Sequence, residues 1–157
     1  MAIPLEAECR AAITQSFQLL SERLTAELRS ILGAAYPPST YLFWFVYDSP
    51  HFDDSFPITF CQMDRSGQSE QVRRLLPEVA YAVPSTIIYD PRYEAADLDT
   101  WVLASEVLVP WFADCWQAAG GQQSRWPGFL AHHDSSFSFD LTVRRELRSP
   151  EPRYPGT

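Results

Sequence analysis

Tyr41-Leu42-Phe43-Trp44-Phe45-Val46-Tyr47 is apolar or aromatic at every position. It is short, and it lies between turn-forming stretches, GAAYPPST before it and DSPHFDDS after it. It therefore reads as a strand covered on both faces rather than as a helix. Side chains alternate across a strand, so Tyr41, Phe43, Phe45 and Tyr47 share one side and Leu42, Trp44 and Val46 the other. Beyond the polar turn, Phe56 to Met63 alternates more clearly. The pair reads as an antiparallel hairpin with a long loop.

Upstream, Leu5, Cys9, Ile13, Phe17, Leu20, Leu24, Leu28 and Ile31 recur at steps of three and four, the period of one helix face. Pro4 suits a first turn and Gly33 a stop, which predicts one amphipathic helix over 4–32. Downstream, Ser69 to Leu76 predicts a short helix ended by Pro77. Pro84 and Pro91 flank a short edge strand, Ser85 to Tyr89. Asp97 or Asp99 caps a helix through Trp101, Leu108, Trp111, Phe112, Cys115 and Trp116 to Gly120-Gly121, with Pro110 kinking or splitting it. Phe129 to Asp134 predicts a further strand. Phe137, Phe139, Leu141 and Val143 alternate with polar residues, the pattern of a strand with one face buried.

The expected fold is α+β: a long N-terminal helix and a kinked helix of the C-terminal half, packed on a mainly antiparallel sheet of about four to six strands. Residues 1–148 form a single domain, and the Pro-rich stretch 149–157 reads as a flexible tail. The 157 residues suit one domain with its own core.

The net charge is −8 and every cation is an arginine. No basic stripe is present for the phosphates of a nucleic acid or of an anionic membrane surface. An acidic surface suits a basic partner. Aromatics at 14% are enough to fill a core and leave Trp or Tyr for a binding surface. Cys9, Cys61 and Cys115 are widely spaced and odd in number, and they read as small apolar residues in a reducing compartment. Glu6 and Glu8 oppose a signal peptide, and no apolar run is long enough for a membrane span. The expected location is the cytoplasm.

No dinucleotide fingerprint, P-loop, nucleophile elbow or zincin motif occurs, and no cofactor is called for. Two clusters remain. His132-His133-Asp134 with Asp140 places one imidazole and two carboxylates (His132, Asp134, Asp140) within reach across a hairpin, an alternative metal or acid–base centre for a small hydrolase. Asp48, His51, Asp53 and Asp54 line the first hairpin loop around Phe52. This loop lacks the spacing of a calcium loop. It reads instead as an acidic tip with an aromatic anchor, aided by Trp126, for a protein partner.

Trp111-Phe-Ala-Asp-Cys-Trp-Gln-Ala-Ala-Gly-Gly121, with His132-His-Asp134 and Phe139-Asp-Leu141, resembles the C-terminal part of small bacterial immunity-type domains encoded beside polymorphic or contact-delivered toxins. The resemblance implies a cytoplasmic, non-enzymatic inhibitor that binds and blocks one cognate toxin domain, and a basic toxin domain would suit the acidic surface. It brings no catalytic residues. A structural adaptor subunit is a third reading.

Overall fold

The structure, a computed structural model, describes residues 4–48, 52–53, 56–135 and 137–147. In chain order its elements are α1 (Leu5–Gln18), α2 (Ser21–Gly33), β1 (Thr40–Tyr47), β2 (Ile58–Asp64), β3 (Ser69–Arg74), α3 (Ser85–Ile88), α4 (Pro91–Ala95), α5 (Thr100–Ala118), β4 (Gly128–His132), β5 (Ser138–Asp140) and β6 (Arg145–Leu147). The fold is α+β, with a six-stranded sheet in the order β3-β2-β1-β4-β5-β6.

The aromatic strand β1 is central. On one side β2 pairs with it antiparallel, Phe45 opposite Phe60. On the other side β4 pairs with it parallel, from Phe43 opposite Gly128 to Tyr47 opposite His132. A parallel neighbour requires the chain to leave the sheet and return at the same end. The segment holding α3, α4 and α5 makes that crossing. All the other strand pairs are antiparallel.

Phe43, Phe45 and Tyr47 face the main core, where they join Phe17 of α1, Leu24 and Leu28 of α2, and Phe112 and Trp116 of α5. Phe45 stacks on Phe60 at 5.2 Å between ring centroids and meets Phe112 at 5.1 Å. The opposite face carries a smaller cluster of Leu42, Met63 and Phe129, with Trp44 and Leu147 half-buried against it. Both faces of β1 are thus apolar for the reason its composition predicts.

Two glycines fix how α5 meets β4. A Cβ on Gly121 would lie 2.2 Å from the Trp116 ring, and one on Gly128 would lie 2.7 Å from it. The fully buried indole fills both spaces, and its N–H donates to Thr142 Oγ1 at 3.3 Å.

Several expectations are corrected. The N-terminal helix is two helices, because the ladder tightens where Leu20 N–H donates to Phe17 O three residues back. Leu19 is left 79% exposed. The break places the Ser21 hydroxyl where the Trp111 indole N–H reaches it at 2.9 Å, so packing overrides the unbroken apolar stripe. Ser69–Arg74 is a strand, not a helix. The Asp64 carboxylate accepts the backbone N–H groups of Ser66 and Gln68, and Gly67 takes a positive φ of 86°. That tight turn folds the segment back on β2. Ser85–Ile88 is a helical turn behind Pro84, not an edge strand. Helix α5, capped by the Asp99 carboxylate on Val102 N–H, runs through Pro110 without splitting. The predicted strand over 137–143 stops at Asp140, whose carboxylate accepts the N–H groups of Thr142 and Val143 and so turns the chain toward β6. The 149–157 stretch lies outside the described residues.

Candidate functional site

The parallel register of β1 and β4 gives the molecule two unlike ends. At the amino ends of both strands, an open cleft of about 670 Å³ is lined by Tyr41, Asp64, Arg65, Arg125, Trp126 and Pro127 among others. The guanidinium of Arg65 lies 4.0 Å over the Tyr41 ring, and that of Arg125 lies 5.3 Å over Trp126. Such stacking holds each cation on an aromatic face while its N–H groups still point to water. Trp126 is half-buried. Its inner side packs on Tyr36 at 5.4 Å and Phe43 at 5.1 Å. The Ser124 hydroxyl both donates to Trp126 O and accepts from Trp126 N–H, which fixes the loop that presents the ring. Hydrogen bonds from the Ser66 hydroxyl, above all, hold the Asp64 carboxyl below its usual range. Asp64 is therefore an anion that orders the cleft wall.

At the carboxyl ends, Asp48 follows the last residue of β1, while His132 ends β4 and His133 follows it. His133 N–H donates to Tyr47 O at 3.1 Å, which ties the two strand ends together. One ligand-type atom from each of Asp48, His132 and His133 lies within 4.8 Å of the other two. His133 Nδ1 is 3.9 Å from Asp48 Oδ1, and His133 Nε2 is 3.1 Å from Asp134 Oδ2. His132 Nδ1 accepts the Asp134 N–H at 3.2 Å, and the Tyr47 ring meets the His132 ring edge-on at 5.2 Å. Burial raises the Tyr47 phenol above its ordinary range, so that ring stays neutral beside the imidazole.

The residues singled out by sequence are redistributed. Phe52 is fully buried, stacked on Trp101 at 6.4 Å and edge-on to Phe17 at 6.0 Å. The expected exposed anchor is a core residue, held where Phe52 O accepts the N–H groups of Ala82 and Val83. Asp53 is half-exposed, and His51 and Asp54 lie outside the described residues. Asp48 leaves the acidic loop cluster and faces His133. Asp140 does not join His132. It pairs opposite Phe129, three residues back along β4, and spends its carboxylate on the following turn. The triad His132, Asp134 and Asp140 is therefore not assembled as a hydrolase centre. Among the described residues, Trp126 is the one expected partner-binding residue that lines the cleft. Tyr41 and Arg65 escaped sequence reasoning because they are 24 positions apart and meet only across the β1–β2 pair, and Arg125 because adjacency to Trp126 alone does not imply contact.

Among the described residues, no helix is long and apolar enough to cross a membrane. All three cysteines are free; Cys9 and Cys115 are buried and Cys61 is half-buried, and burial raises each thiol above its ordinary range, which makes them poor nucleophiles. No family model, curated protein or solved structure matches this chain.

Proposed function

We propose that this domain binds another protein and acts by occlusion, in the manner of an immunity or inhibitor protein, through the cleft at the amino ends of β1 and β4. The observation that carries this reading is the pair of arginine-on-aromatic stacks, Arg65 on Tyr41 and Arg125 on Trp126, flanking one open hollow. Trp, Tyr and Arg are the residue types that dominate binding energy at protein interfaces. Stacked guanidiniums are preorganised to take a partner carboxylate bidentately with little loss of side-chain freedom. The net charge of −8 acts at longer range, drawing a partner that is basic overall and repelling acidic ones.

The test is affinity capture from the source organism, followed by reconstitution with the purified partner. The wild-type domain retains the partner, and a Trp126→Ala, Arg65→Ala double variant loses it. If a toxin-like product is encoded alongside, co-expression protects cells with the wild-type domain and fails with the double variant. Retention by the double variant, or capture of the domain only by itself in light scattering, defeats this reading.

A further inference from the structure

We infer that Asp48, His132 and His133 form a binding site for one divalent transition-metal ion of the zinc(II) type. The site is independent of the cleft and of the function proposed for it, since it occupies the opposite end of the β1–β4 pair. Two imidazoles and one carboxylate are a donor set for borderline metals rather than for calcium or magnesium, which favour oxygen. The spacing fits as well. Zinc–ligand bonds of about 2.0–2.2 Å hold tetrahedral ligands about 3.4 Å apart. The three donor atoms here lie within 4.8 Å of one another, with His133 Nδ1 at 3.9 Å from Asp48 Oδ1. Closure around an ion therefore brings the donor atoms together by at most about 1.4 Å, a distance within the reach of side-chain rotation.

The outer contacts have the form that supports metal ligation. Asp134 takes the Nε2 side of His133 at 3.1 Å, which leaves Nδ1 directed to Asp48, and a carboxylate on the far imidazole nitrogen fixes the ring and strengthens it as a ligand. His132 gives up the long hydrogen bond from Asp134 N–H, 3.2 Å, in exchange for the ion. The His132 and His133 ring centroids lie 4.7 Å apart, which brings both imidazoles to one side of the strand end. The backbone under the site is tied to the sheet: His132 is the last residue of a central strand, His133 follows it, and Tyr47 O accepts the His133 N–H. In open sheets with helices, ligands collect at the carboxyl ends of parallel strands, and β1 and β4 provide the one parallel pair among the described strands. Side-chain exposures of 33% for Asp48 and 43% for His133 leave a fourth coordination position to water.

Zinc(II) chloride titrated calorimetrically into the whole chain, with cobalt(II) absorbance as a report on ligand geometry, tests the site. The expected result is one equivalent bound with micromolar or tighter affinity and a four- or five-coordinate cobalt spectrum. His133→Ala, His132→Ala and Asp48→Asn each abolish measurable binding, while Asp134→Asn weakens it by about 10-fold. All four positions are at least partly exposed, and circular dichroism shows whether each variant folds. One-equivalent binding that survives in the His132→Ala, His133→Ala double variant overturns the inference, because the ion then sits elsewhere. Wild-type affinity no better than millimolar overturns it too.

Discussion

The two ends of the β1–β4 pair are made by the same two strands and offer opposite chemistry. At the amino ends, the flanking chain turns at Pro38 and Ser39 and bends at Arg125 and Trp126, and guanidiniums lie on half-buried aromatic rings. At the carboxyl ends, β4 turns at once through His133 and Asp134, and carboxylate and imidazole groups converge. The difference lies in what each end asks of its neighbours. An arginine stacked on a ring needs a broad, preorganised face and suits a large partner, whereas three small donors a few ångströms apart suit an ion. One parallel register holds both arrangements, so each end can be perturbed while the other serves as its control.

The harshest way to break this comparison is to remove the register itself. Gly128→Ala places a methyl 2.7 Å from the buried Trp116 ring, in the strand that both ends share, and is expected to cost about 3 kcal/mol through overpacking. Urea denaturation measures the loss, and cleft binding and zinc binding should weaken together. Trp126→Ala separates the ends. It is expected to weaken the partner about 30-fold, as loss of an aromatic anchor does, and leave zinc affinity unchanged. A parallel fall in zinc affinity would mean that the ends are not independent. Arg65→Ala is milder, with about a 5-fold loss of partner affinity and a stability change within about 0.5 kcal/mol, readable by surface plasmon resonance and thermal melting.

The smallest expected effect concerns the wall of the cleft. The Asp64 carboxyl is held below its ordinary value of 3.8 by hydrogen bonds from Ser66 and its neighbours. The folded state therefore binds this proton less readily than the unfolded chain. The contribution is fully present above the ordinary value and fades as pH falls through the depressed one. Asp64→Asn should show a lower stability than wild type at neutral pH, and the gap should narrow in acid. A gap that widens as pH falls would contradict the assignment of Asp64 as the turn's anion.

What was legible in sequence followed from local chemistry. The unbroken aromatic composition of Tyr41–Tyr47 marks a strand buried on both faces, and the alternation after Phe56 marks its antiparallel partner. The apolar residues from Trp101 to Trp116 mark the helix that Asp99 caps. What was not legible depended on partners distant in the chain. Ser69–Arg74 has no strand pattern, being exposed at every position, and is a strand because the Asp64 turn delivers it to β2. Phe52 is surrounded by acidic residues in sequence, yet Phe17 and Trp101, from two different helices, enclose it. Asp48 and His132 fell in two separate clusters of the sequence, and only the parallel pairing of Tyr47 with His132 makes them neighbours.

That pairing also has a consequence for how the chain is made. Phe43 and Gly128 are partners across about 85 residues of sequence. At synthesis rates of about 5–20 residues per second, β1 waits roughly 4–17 seconds for β4 after it has emerged. During that wait the β1–β2–β3 hairpins can form, yet one edge of TYLFWFVY stays open, and an apolar strand with unpaired N–H and C=O groups is a template for joining other chains. The most hazardous moment for this protein is therefore on the ribosome, before Gly128 arrives, and a chaperone that shields β1 at that stage would raise yield without changing the stability of the finished fold.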